Sequence, residues 1–290
     1  MSGKTKFKRF AIGFGSVAIL LILSFWIALS TLSTYGANAA EKRASYYGDE
    51  LLPNPSVVWT HAETIQAKPD VVWQWIAQMG DTHGAFYSYT FIENMIGGSD
   101  LYQNADSIHP EWQDPQPGEM IISPIMGIKE VKKGEHFFGT SIIPDLGWTW
   151  LWQVVPEGDQ ATRLQIRMRI QVPGQTTNSA IVNTVALSGF VMEKGMMDGL
   201  RNRAEGRIPA GYEQTLGIIV WMVALIAGII CAVLFINRPE WKISLATGLA
   251  AVITLVIFTF VQQAMAIRIL IDLLLIAGTI VSIKTRNSQE

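Results

Sequence analysis

Hydrophobic positions fall into two regimes along this chain. Four runs are almost continuously apolar: 10–32, 216–236, 243–261 and 267–283. A helix rises ~1.5 Å per residue and ~20 residues cross ~30 Å of hydrocarbon, so each run is read as a membrane span, the last being the shortest. Between them, residues 41–210 carry apolar positions at short regular spacings, the mark of a folded water-soluble domain. The expected domains are therefore 1–40, 41–210 and 211–290.

Within the middle part, residues 41–54 read as a linker and 56–65 as a first strand. Val71, Val72, Trp75, Ile76 and Met79 repeat at helical spacing behind Pro69, and Gly80 is placed to end that helix. The aromatic turn 84–89 leads into a second short helix through Phe91, Ile92 and Met95. Residues 108–117, rich in Pro, Asp and Gln, read as loop. Strands follow at 119–122, 127–132 and 136–142, the last two forming a hairpin around Lys133-Gly134. In 148–155, Trp148, Trp150, Trp152 and Val154 share one face. In 162–172, Leu164, Ile166, Met168 and Ile170 share one face, and Arg163, Gln165, Arg167 and Arg169 take the other, which reads as solvated. From 178 to 207 the period is helical, with Asn178 or Ser179 as cap, and Gly189, Gly195, Gly199 and Gly206 interrupting it. Each interior glycine costs ~1 kcal/mol against alanine, offset by close packing or by a mobile lid, unless the helix breaks.

The membrane part is read from its charges. Lys4, Lys6, Lys8 and Arg9 precede the first run, whose length favours an uncleaved anchor over a signal peptide cut near Ala37-Asn38-Ala39. Lys and Arg in the short loops place both termini in the cytoplasm and the middle domain outside, in a multi-pass protein of the cell membrane. Asp272 is the one acidic residue inside a run. Arg268 lies four residues earlier on the same helical face, and the pair is expected to sit at the membrane interface.

Composition narrows the class. Hydrophobic residues make up 49% of the chain and charged residues 16%, a balance suited to a membrane protein with one soluble domain. A net charge of −2 without a basic stripe argues against nucleic acid as partner. The single cysteine, Cys231, excludes a disulfide framework, and no two histidines have metal-ligand spacing, so neither a metal nor another cofactor is expected. No glycine-rich phosphate loop, nucleophile elbow or nucleotide fingerprint occurs.

The order strand, two helices, antiparallel strands, long helix carries a resemblance. Residues 65–73 (IQAKPDVVW), Gln78-Met79-Gly80, Gly84-Ala85-Phe86-Tyr87-Ser88, Glu93-Asn94, Ile108-His109-Pro110-Glu111, the Gly118 loop, Thr162-Arg163-Leu164 and Ala204-Glu205 resemble the START-like, or SRPBCC, superfamily, in its polyketide cyclase/dehydrase-like branch. The likeness covers about half the chain. It implies an α+β helix-grip fold, with a curved antiparallel sheet around a long C-terminal helix and a deep apolar cavity between them. Members bind lipids, sterols, polyketides or plant hormones, and some catalyse cyclisation or dehydration. Thr82-His83 departs from the arginine of many relatives.

Three functions follow as expectations. The first is binding of a hydrophobic small molecule or lipid beside the bilayer, with Phe86, Tyr87, Tyr89, Trp148, Trp150, Trp152 and Arg167 as ligand-contacting residues. The second is a cyclase- or dehydratase-type enzyme, for which His83, Asp81 and Tyr87 are the titratable candidates. The third is a non-catalytic interaction module whose cavity is filled by its own side chains. His109 reads as a loop residue, and His61 and His136 lie on separate strands.

Overall fold

The computed structural model describes residues 3–5, 7–12, 15, 32–97, 103–171, 174, 180–238, 240–261 and 263–285. Most of the 10–32 run and the cap at Asn178 or Ser179 lie outside them. The chain divides into two compact units, residues 27–209 and residues 1–26 with 210–290.

The first unit is α+β. It runs β1 (Val57–Ile65), α1 (Pro69–Ala77), α2 (Thr90–Gly97), β2 (Met120–Ile122), β3 (Met126–Lys132), β4 (His136–Ser141), β5 (Gly147–Pro156), β6 (Thr162–Gln171) and α3 (Ala180–Ala204). The strands form one antiparallel sheet in the order β1-β6-β5-β4-β3-β2, so the first strand pairs with the last. The register puts Trp59 and Trp150 opposite Met168, and Phe137 opposite Trp152, on one face. That face, with α1 and the Met196–Leu200 end of α3, encloses the core.

Several elements differ in detail from the pattern reading. Helix α1 stops at Ala77, and Gly80 does not cap it. Gly80 opens the next turn at φ 140°, bridged to Ala85. Helix α3 is continuous through its glycines because of close approach. A Cβ on Gly189 would lie 2.4 Å from the Trp59 ring, and one on Gly199 would lie 1.9 Å from the Tyr87 carbonyl oxygen. Residues 110–112, in the expected loop, make a short 3-10 turn.

The largest correction concerns residues 41–54. They are no linker but a covering of the sheet's outer face. Glu41 is buried and takes Arg163 through two hydrogen bonds of 2.8 Å, with Gln165 adding a third at 3.0 Å. Asp49 takes Arg167 through two bonds of 3.0 Å and pairs with Arg169 at 3.1 Å. Tyr46 packs with Phe138 and Leu151 beneath them. The arginine face of β6 is therefore closed by carboxylates. Upstream, Ser33 and Tyr35 accept hydrogen bonds from the Thr60 and Ala62 amides (2.8 and 3.0 Å), which covers the free edge of β1.

The second unit contains α4 (Gly211–Asn237), α5 (Lys242–Phe260) and α6 (Met265–Lys284). All three are long and apolar enough to cross a membrane. They pack through small residues, Ala224, Ala227 and Ala251, against Leu275.

Candidate functional site

Strand alternation sets what reaches the interior. On β1 it aims Trp59, His61 and Glu63 inward together. On β5 it aims Trp148, Trp150, Trp152 and Val154 inward, and on β6 the Leu164 to Ile170 series. Trp150 and Trp152 are buried and meet edge-on at 5.4 Å, while Trp148 is half-buried at the end of the row. Phe86 completes this wall, its ring 6.5 Å from that of Trp150. The indole N–H of Trp150 donates to Glu193 at 3.1 Å, whereas those of Trp148 and Trp152 find no acceptor among the described residues. A buried donor without a partner costs about 1–3 kcal/mol, so these two define where an acceptor is wanted.

A polar pair lies within this apolar wall. His61 from β1 and Glu193 from α3 are both completely shielded, and His61 Nδ1 meets a Glu193 carboxylate oxygen. The other ring nitrogen, Nε2, meets the Leu32 carbonyl, which only accepts, so Nε2 carries a proton. Trp59 stacks on His61 at 5.5 Å, and Phe190 and Tyr35 meet it edge-on. One layer further along, Arg201 of α3 bridges Glu63 (2.6 Å) and Asp198 (2.7 Å), and Lys194 also binds Asp198. Burial pushes the Glu63 carboxyl up to about 7 against the pull of Arg201.

The three expected catalytic residues each have their own partners. Tyr87 is buried, donates its hydroxyl to the Trp75 carbonyl at 2.8 Å and lies under the Arg203 guanidinium at 4.9 Å. Burial drives that phenol far above its ordinary value, so it stays protonated. Ala85 and Tyr87 both hold left-handed backbone (φ 54° and 60°), a strained turn fixed by packing on Gly199. Asp81 accepts the Ser123 amide, and His83 points into a cleft of about 40 Å³ beside Trp112, Glu111 and Met79. Tyr89 is half-buried against Gly195 of α3. Arg167 lies on the outer face, where Asp49 and Thr60 take its guanidinium, and makes no part of the indole wall.

A pocket for a drug-sized or lipid-sized molecule measures about 300 Å³ or more. The cleft at His83 falls well short, and the described aromatic side chains of the interior are buried in one cluster. Those residues hold no cluster of three metal-ligating side chains either.

No protein-family model matches the chain, and no curated protein matches it. Solved structures align over about half of it. A solution structure from Thermobifida fusca is 12% identical and covers 53% of this chain and 97% of its own, with a TM-score of 0.31. A conserved protein of unknown function from Enterococcus faecalis is 9% identical over 54% of this chain and 76% of its own, at 0.30. A crystal structure from Mesorhizobium loti is 11% identical over 50% and 95%, at 0.28. Scores at this level carry neither a fold nor a function to this chain.

The His61–Glu193 pair is the feature that pattern reading passed over. Its signal was present: His61 and Glu63 occupy the same alternating positions as Val57, Trp59 and Ile65, so two ionisable groups stood on the buried face.

Proposed function

We propose that this is a multi-pass membrane protein whose START-like domain, of helix-grip type, binds an apolar small molecule or lipid that carries hydrogen-bond acceptors. The observation that carries this reading is the indole wall of β5, with the Trp148 and Trp152 donors unpaired on an aromatic interior. Affinity would come from apolar burial and orientation from those two N–H groups. Four spans put both termini in the cytoplasm and the domain outside, where tethering concentrates it beside a membrane-dissolved ligand.

Native mass spectrometry of the full chain, released from lipid nanodiscs, tests the binding. The expected result is a discrete co-purifying mass of lipid or polyketide size, retained less by Trp152→Phe, which keeps a ring and loses the donor. A chain that arrives empty and rejects a lipid and sterol panel overturns it. That outcome favours the second reading, a non-catalytic interaction module. Topology is tested by Ser45→Cys, at an exposed position. Labelling by an impermeant reagent in intact cells supports the outside placement, and protection reverses it.

A further inference from the structure

The bundle of α4, α5 and α6 has a polar row inside it. Helix α5 buries Ser244, Thr247 and Thr254, and α6 buries Asp272, Thr279 and Ser282. Arg268 of α6 lies over Phe258 of α5, and Gly278 meets Thr247, so the two helices run antiparallel. Contact of Gly278 with Thr247 then sets the levels: Thr254 lies near that of Asp272, and Ser244 near that of Ser282. Thr279 is bonded to the Leu275 carbonyl at 2.8 Å and touches the Cys231 thiol of α4 at 3.6 Å.

Asp272 stands at one end of this row. It is 5% exposed, and no hydrogen bond from a described residue reaches either carboxylate oxygen. The expected pairing with Arg268 is not made. Arg268 reaches instead toward the Gly217 carbonyl of α4 (3.4 Å) and lies 4.6 Å from the Phe258 ring centre. No other charge is at hand. Helix α4 turns the Cys231 thiol inward, α5 turns hydroxyls, and the runs 10–32, 216–236 and 243–261 contain no Asp, Glu, Lys, Arg or His. An ionised carboxylate at such a place lacks both donors and a contacting counter-charge, and its desolvation is expensive. A protonated one is neutral and can itself donate to a hydroxyl or to water. The Ser244 and Ser282 hydroxyls, at the other end of the bundle, also lack partners among the described residues.

We infer that Asp272 is a proton-binding site within the bundle. The carboxylate takes one proton from water to become a carboxylic acid and returns it to water on deprotonation. No redox partner or leaving group is involved.

The test uses the full chain in nanodiscs and dicyclohexylcarbodiimide, an apolar reagent that adds to protonated carboxyls, with adducts mapped by mass spectrometry. The expected result is an adduct on Asp272 whose rate falls about tenfold per pH unit above the carboxyl's own titration. Sodium at constant pH should not change it. Infrared difference spectra give a second readout on the unmodified chain: a pH-dependent carboxylic acid carbonyl band, absent from Asp272→Asn. An unlabelled Asp272 at acid pH, a rate independent of pH, or no such band overturns the inference. Protection by sodium also overturns it, in favour of a metal-cation site.

Discussion

His61 and Glu193 meet inside the sheet unit with neither side chain reached by solvent, and the remaining imidazole nitrogen holds the Leu32 carbonyl. Three separate segments, the 32–37 strap, β1 and α3, are thus tied at one ring. Removing one member leaves the other polar and stranded. His61→Leu is expected to cost about 3–5 kcal/mol. The double variant His61→Leu/Glu193→Met should cost clearly less than the two single changes together, because it strands only the Trp150 N–H and the Leu32 carbonyl. Denaturant melts of the full chain in detergent, followed by tryptophan fluorescence, measure both. Simple additivity would show that the two side chains are not coupled.

Gly199 offers a test in which two effects have opposite signs. Helix propensity alone makes Gly199→Ala stabilising by ~1 kcal/mol. Contact with the Tyr87 carbonyl, 1.9 Å from the added carbon, makes it destabilising by about 1–3 kcal/mol or more. Loss of stability is expected, since the strained turn 85–87 cannot retreat without giving up the Tyr87–Trp75 bond. Gly211→Ala, with nothing within 4 Å, should stay within about 0.5 kcal/mol of the parent. A stabilised Gly199→Ala would mean that α3 does not press on this turn.

Much of the fold was legible in the residues themselves. Alternation in 162–172 and 148–155 located β6 and β5 to within about two residues, because one face of each strand meets an apolar core. The runs near the C-terminus located α4 to α6 for a similar reason: nothing but sustained apolarity is demanded of a span. What escaped depended on partners distant in sequence. Residues 41–54 look like a linker because their value lies in Glu41 and Asp49, which mean little until β6 brings Arg163 and Arg167 across to them. Asp272 and Arg268 share a helical face in sequence, yet the packing of α4 draws the guanidinium to Gly217. The candidate site was half legible. The indole row was read from β5 alone, but Glu193 becomes meaningful only when α3 is laid against β1.

The covering of the outer sheet face should come loose in acid. The Arg163 hydrogen bonds hold the Glu41 carboxyl down at about 2, from an ordinary 4.5. A depressed carboxyl contributes stability that is present above its unfolded value and lost as pH falls toward the folded one. The window is therefore pH 4.5 down to 2. Glu41→Gln should cost about 1–3 kcal/mol at pH 7, and the difference from the parent should shrink toward zero across that window. A difference that does not change with pH would show that Glu41 acts by packing rather than by charge.

Glu63 should behave in the opposite sense, although it too pairs with an arginine. Its carboxyl is buried on the inner face, one of its oxygens has no partner among the described residues, and Arg201 is shared with Asp198. Burial wins and raises it to about 7 from 4.5. A raised group contributes stability that is complete below the unfolded value and is lost as pH climbs through the folded one. The parent should therefore lose stability relative to Glu63→Gln between pH 4.5 and 7, by up to about 3 kcal/mol. Melts of the two proteins at matched pH values decide the matter. If the parent instead gains on the variant over that range, Arg201 outweighs burial, and the layer of Glu63, Asp198, Lys194 and Arg201 is a satisfied ion network rather than a proton-holding one.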